Sequence, residues 1–177
     1  MMRMRLWLMA LCLWPALAAA DASAPVPSPR AGGATRVMAT LSRGACLGTC
    51  PQYKVVIYSD GRVEWNGEYF VKVKGKASAR LDGGALAALK AAFDRARFLE
   101  LGGGFDCYEA TDMPSAIVSY DDGKRKKELR HYYGCISKPD KDKLFELEAR
   151  IDELAHTERW VGTELEREQL RKSGKLH

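Results

Sequence analysis

The chain is short of the residues that carry acid–base and metal chemistry: it has three histidines, and one of them, His177, is the last residue. It has no G-x-S-x-G, no H-E-x-x-H, no Walker-type glycine loop and no C-x-x-C-H. Those gaps remove the common readings as a serine hydrolase, a zinc peptidase, a nucleotide-binding protein or a c-type cytochrome. The run Gly102-Gly103-Gly104 lacks the spacing of a dinucleotide loop and follows a helical pattern. Acid–base catalysis would have to rest on carboxylates, and nothing in the pattern demands it. No catalytic residue, cofactor or metal is assigned.

Long hydrophobic runs are also missing. The apolar stretch from Leu6 to Leu17 is broken by Pro15 and is too short to span a bilayer comfortably. Arg3 and Arg5 precede it, and Ala18 and Ala20 follow at the small-residue positions of a cleavage site. It reads as a signal peptide over residues 1–20, with Asp21 as the first mature residue and a retained anchor as the alternative. Cys12 does not make a lipoprotein signal, because Leu11 stands where a small residue is needed. Charge of one sign is equally scarce. The net charge of +5 includes Arg3 and Arg5, so it falls to +3 on cleavage, too little for a nucleic-acid binder. The expectation is a periplasmic or secreted protein, cleaved near Ala20, with no transmembrane segment in its mature form and no nucleic-acid partner.

What is present is cysteine. Four of the five cysteines lie beyond the signal segment: Cys46, Cys50, Cys107 and Cys135. An even number in a small exported domain reads as two disulfides, with three possible connectivities. Proximity favours Cys46–Cys50, and Cys107–Cys135 would tie a long loop to a strand end. Closing a five-residue loop is worth roughly 2 kcal/mol and one near thirty residues about 3.5 kcal/mol in the chain-entropy model. The first bridge then fixes local shape, and the second matters more to global stability.

Residues 21–35 are rich in Ala, Pro, Ser and Gly and read as a flexible linker. A single domain follows over 36–162. Val37 to Leu41 suits a strand leading into the cysteine loop. A two-residue Asp60-Gly61 turn predicts a hairpin pairing Tyr58 with Val63 and Val56 with Trp65 on one apolar face. Tyr69 to Lys74 reads as a third hairpin-linked strand. Asp82 is a plausible N-cap for a helix with Ala85, Leu86, Leu89, Ala92, Phe93 and Ala96 as its apolar stripe, stopping before the glycine run. The thirteen residues from Gly102 to Pro114 are a long connection. A second hairpin runs from Ser115 to Tyr133 around Asp122-Gly123. Ser137 and Asp140 suggest a capping box with Pro139 in the first turn, opening a helix whose core face is Leu144, Leu147, Ile151 and Leu154. Residues 163–177 read as a charged tail or frayed helix. The fold class is α+β: an antiparallel sheet built from two hairpins, covered on one side by two helices and stapled by two disulfides.

The run Cys46-Leu-Gly-Thr-Cys-Pro-Gln-Tyr, with Asp60-Gly61, Gly67, Thr111-Asp112-x-Pro114 and Trp160, resembles a widespread family of exported bacterial proteins, defined as a domain of unknown function. The resemblance spans roughly residues 35–162. It implies an envelope location and a small α+β fold, and it implies no activity.

Four constellations compete with plainer readings. Cys46-x-x-x-Cys50 could be a redox pair, but its spacing is three, Pro51 follows, and a strand comes next instead of a helix whose dipole would activate a thiol. A zinc site would need two close pairs, and Cys107 and Cys135 are a whole hairpin apart even with His131 beside the second. Lys124, Arg125, Lys126, Lys127 and Arg130 form a basic arm that could grip an anionic envelope polymer, or simply protect an edge strand from aggregation. Asp106, Thr111 and Asp112 in the long loop could line a shallow polar pocket with Arg43, His131 and Tyr133. The plainer reading makes Asp112 a turn residue paired with Arg43. The reading that follows is a non-catalytic envelope domain that binds an unidentified protein or polymer. The alternative is a thiol–disulfide protein or redox sensor using Cys46 and Cys50.

Overall fold

A computed structural model describes residues 34–175; the expected signal segment and all but the end of the linker lie outside them. Six strands form one antiparallel sheet: β1 (Val37–Arg43), β2 (Gln52–Tyr58), β3 (Arg62–Tyr69), β4 (Gly75–Arg80), β5 (Ser115–Asp121) and β6 (Lys126–Tyr132). Their spatial order is β4-β3-β2-β1-β5-β6, so β1 is central and β4 and β6 are the edges. The helices are α1 (Gly83–Arg95), α2 (Lys141–Ala155), the single turn α3 (Glu158–Val161) and α4 (Glu164–Lys172). Both disulfides, Cys46–Cys50 and Cys107–Cys135, are present. Among the described residues no helix is long and apolar enough to cross a membrane.

Side-chain alternation along the strands sorts the sheet into two faces. Ala39 and Leu41 of β1, Val55 and Ile57 of β2, Val63 and Trp65 of β3, and Ala116, Val118 and Tyr120 of β5 all point to the helices and are buried. Leu89 and Phe93 of α1 and Leu144, Leu147 and Ile151 of α2 close over them. The Phe93 ring stacks on Tyr120 with centroids 4.0 Å apart, which seats α1 on β5. Asp82 does cap α1, its side chain accepting the Ala85 N–H at 2.7 Å. On the opposite face the contacts are polar, such as Thr40 to Ser119 at 2.7 Å and Tyr58 to Glu64 at 2.8 Å.

Three local expectations need correction. The first hairpin pairs Ile57 with Val63 and Val55 with Trp65, one residue out of the expected register. Gly61 is the cause. It adopts φ +87°, its N–H bonds the Tyr58 carbonyl at 3.0 Å, and it adds a third residue to the loop. A left-handed glycine of this kind turns a two-residue loop into a three-residue one, and the slip sends β2's other face inward. Second, Tyr69–Lys74 is not a strand of the sheet, because β3 continues through Tyr69 and β4 begins at Gly75. The N–H groups of Lys72 and Val73 bond the carbonyls of Val161 and Trp160, at 3.0 and 2.8 Å, so this segment holds α3. Third, α2 starts without a capping box. Asp140 sits at φ +65° with no side-chain cap bond, and Ser137 is engaged by Glu109 instead.

The charged end does form a helix. Thr163 and Glu166 make a reciprocal capping box, and Lys72 pairs with Glu166 at 2.6 Å. The Lys72 hydrogen bond, followed by the Thr163 N–H, holds the Glu166 carboxyl near a pKa of about 2. A depressed carboxylate contributes fully above its ordinary range and loses its contribution as pH falls through the depressed value. The α4 contact will therefore persist through mild acid and release near pH 2, readable in the Glu166 carboxyl shift by NMR.

The register gives a sharper test. Ile57→Ala, at a fully buried position, should cost roughly 2–5 kcal/mol in urea unfolding. Val56→Ala, on the outer face, should cost less than about 1 kcal/mol. The reverse ranking would restore the two-residue turn.

Candidate functional site

The strand alternation that buries Ala39 and Leu41 also turns Arg43 inward, at the end of β1 nearest the cysteine loop. On α2 the apolar stripe of Leu144, Leu147, Ile151 and Leu154 is interrupted by Glu148, one turn beyond Leu144 and on the same face. The two meet. Arg43 Nη1 donates to Glu148 Oε2 at 3.0 Å, while Nη2 and Nε donate to Asp152 Oδ2 at 2.7 and 3.2 Å. The Tyr133 hydroxyl contacts Arg43 Nη1 and donates to Glu148 Oε2. His131 Nδ1 lies 2.8 Å from Glu148 Oε1. Tyr53 and Thr157 hydroxyls donate to Asp152 Oδ1 at 2.7 and 2.8 Å.

The side chains of Glu148 and His131 are 1% exposed, whereas those of Arg43 and Asp152 are about 20% exposed. Glu148 therefore depends on protein donors, and it has three. An ionised carboxylate accepts only, so in its bond to Glu148 the His131 Nδ1 is the donor. His131 Nε2 is buried with no partner among the described residues, and the His131 ring packs edge to face with Phe145 and Phe105. Burial alone would lower the Arg43 pKa, but the charge of Asp152 and its companions outweighs it, and the guanidinium sits above its ordinary value. Tyr53 and Tyr133 are pushed up by burial first, with the charges of Asp152 and Glu148 adding to it. No phenol here is an available base. The arrangement pins α2 and α3 to β1, β2 and β6, and its polar atoms face one another.

Asp152 and Tyr53 reach the wall of an open cleft of about 890 Å³ that also borders Lys72, Arg150, Arg159 and Glu166. Its cations are engaged: Arg150 pairs with Glu153 at 2.6 Å, Lys72 with Glu166, and Arg159 lies over the Trp160 ring. Among the described residues no cluster of three His, Cys, Asp or Glu is arranged to hold a metal ion.

Of the residues singled out from the sequence, Arg43, His131 and Tyr133 come together, and Asp106, Thr111 and Asp112 do not join them. Arg43 does not pair with Asp112. Those three remain exposed on the long loop, Asp106 pairing with Arg130. In the basic arm, Arg125 pairs with Glu100 at 3.1 Å and Lys127 reaches the backbone carbonyls of Leu99 and Leu101. Lys124 and Lys126 are exposed without an ion pair among the described residues. Tyr53, Glu148, Asp152 and Thr157 were not foreseen. The legible signal was Glu148, an acid inside an otherwise apolar helix face.

Directly above the network lie the loops tied by both disulfides. The Leu47 N–H bonds the Asp112 carbonyl at 3.1 Å, linking the cysteine loop to the long loop. Ala110 N–H bonds the Gly134 carbonyl at 3.0 Å, and a Cβ on Gly134 would fall 2.2 Å from the Ala110 carbonyl oxygen. Met113 N–H meets the Tyr132 hydroxyl at 3.3 Å, and the Tyr108 ring rests on Tyr132 at 5.0 Å. This end presents Leu47, Tyr108, Ile136 and Met113 at 81, 67, 60 and 42% exposure.

The network ranks its own members. Glu148→Ala, which leaves the part-buried Arg43 with one carboxylate and His131 with none, should cost about 3–5 kcal/mol in urea unfolding. Asp152→Ala, at a wetter site, should cost clearly less. Equal small losses would mean that the network contributes little.

Comparison with known proteins adds one match. A family model described as Domain of unknown function (DUF6438) covers residues 38–155, from the second residue of β1 to the last of α2. No curated protein matches the chain significantly. The matched span contains all of the sheet but Val37, both disulfides and every member of the buried network except Thr157, and the chain belongs to the DUF6438 family.

Proposed function

We propose that this chain is an exported, non-catalytic domain of the cell envelope that binds a protein partner through its disulfide-tied loop end. The signal-like N-terminus and the paired cysteines support export to an oxidising compartment. The observation that carries the binding reading is the gathering of Leu47, Tyr108, Met113 and Ile136, all exposed, on loops that two disulfides and a lattice of backbone bonds hold in place. Exposed apolar side chains scattered singly need no explanation; several on one rigid end mark a contact surface. Tyr108 is the type of side chain that anchors interfaces at small entropic cost.

Two other roles fit less well. The basic arm has Arg125, Lys127 and Arg130 engaged within the chain, which leaves little for an anionic polymer. Cys46 and Cys50 lie in the loop from β1 to β2, and Pro51 and then a strand follow, so neither cysteine opens a helix whose own dipole would favour its thiolate.

The test is comparative capture. The immobilised mature chain, exposed to an envelope extract, should retain a defined protein. Leu47→Ser and Tyr108→Ser should each lose it by roughly thirtyfold in affinity or more, with thermal stability unchanged. Retention that ignores both substitutions but disappears with Lys124→Gln and Lys126→Gln would assign the role to polymer binding.

A further inference from the structure

The loop end has a charge pattern of its own. Glu109 follows Tyr108 in the chain, and Asp112 precedes Met113, so each exposed acidic residue is the chain neighbour of an exposed apolar one. Glu109 accepts the Ser137 N–H at 2.8 Å and the Ser137 hydroxyl, and these bonds, the hydroxyl first, hold its carboxyl below the ordinary value. Asp112 is exposed at φ +64°, and its own carbonyl is tied to Leu47. Neither carboxylate meets a cation among the described residues. The cations nearby are otherwise placed: Arg130 pairs with Asp106 and reaches the Tyr108 side chain, so its charge at this end is offset by Asp106, and Lys138 lies over the Phe105 ring at 5.3 Å.

A partner that covers Tyr108 and Met113 must also bring its own groups against Glu109 and Asp112. An acidic partner meets like charge, and a purely apolar one strips water from two carboxylates with nothing in return. A basic partner gains on both counts. We infer that the loop end recognises a polypeptide segment whose apolar anchors are flanked by lysine or arginine. This rests on the binding reading above and names the partner's chemistry.

The probes are two fluorescent peptides that share one Leu-Phe-Leu centre, one flanked by lysine pairs and the other by glutamate pairs. Anisotropy with the mature chain at low salt should show the lysine-flanked peptide binding at least about tenfold more tightly. The gap should close near 1 M salt, where the screening length is about 3 Å. It should also close in the double variant Glu109→Gln, Asp112→Asn. These substitutions keep the Ser137 contact and suit a left-handed backbone, so the fold is retained. Tyr108→Ser should weaken both peptides. Equal affinities, no binding of either peptide, or a preference that survives the double variant would overturn the inference. So would self-association of the chain that is abolished by Leu47→Ser, which assigns the surface to a second copy. Protein capture that needs Leu47 and Tyr108 but ignores the double variant overturns the basic-flank inference alone. Capture indifferent to all of these substitutions overturns the binding reading with it.

Discussion

Glu148 is a carboxylate that the fold encloses, and such a group cannot stay there without donors. Arg43, Tyr133 and His131 supply them from β1, the end of β6 and the sheet's inner face. Each of those side chains is itself buried or half-buried, so none can leave without stranding another. The result is a polar clamp between α2 and the sheet at one end, where apolar packing alone would leave the layers free to slide. Elsewhere the layers are held by ordinary apolar contact, led by Phe93 on Tyr120 and by the Tyr53–Trp65–Trp160 ring stack at 4.6 and 5.3 Å.

The clamp lies under the loops and not under the hairpin turns, and this placement gives it a functional meaning. Tyr133 belongs to the clamp, and two residues later Cys135 bonds Cys107 in the long loop. The Tyr133 N–H also bonds the Pro114 carbonyl at 3.0 Å, so the end of the loop is tied to the residue that touches Glu148 and its middle, through Cys107, to a cysteine two residues further on. Long loops cost conformational entropy to order, and here covalent bridges and buried charge share that work. A rigid loop end with exposed apolar side chains binds without an ordering penalty, which is the physical case for reading it as a contact surface.

Much of this was legible in the sequence. Alternation over Ala116, Val118 and Tyr120, the stripe from Leu144 to Leu154, the Asp82 cap and the close Cys46–Cys50 pair come from local rules that the tertiary structure leaves intact, and the Cys107–Cys135 bridge is then what remains for the other two cysteines. The hairpin register was not legible, because Asp60-Gly61 serves a two-residue and a three-residue loop equally well, and both faces of β2 offer apolar side chains. Tyr69–Lys74 misled because alternating valines can pack against a helix turn as well as within a sheet. The candidate site was half visible. Arg43, His131 and Tyr133 drew notice as polar residues near strand ends, but their partners lie on a helix more than a hundred residues beyond Arg43, at Glu148 and Asp152. No local rule joins positions so far apart. An acid within an apolar stripe and an arginine on an inward strand position each point to a missing counter-charge, and only the fold pairs them.

The most direct measurement is a double-mutant cycle on urea stability with Arg43→Met, Glu148→Leu and the pair together. If the two residues hold α2 to the sheet as one unit, each single change strands a charge, and the double change will cost less than the two losses added. The coupling should then be about 2–3 kcal/mol. Additive losses, agreeing within about 0.5 kcal/mol, would contradict the clamp and leave the loop end without its support.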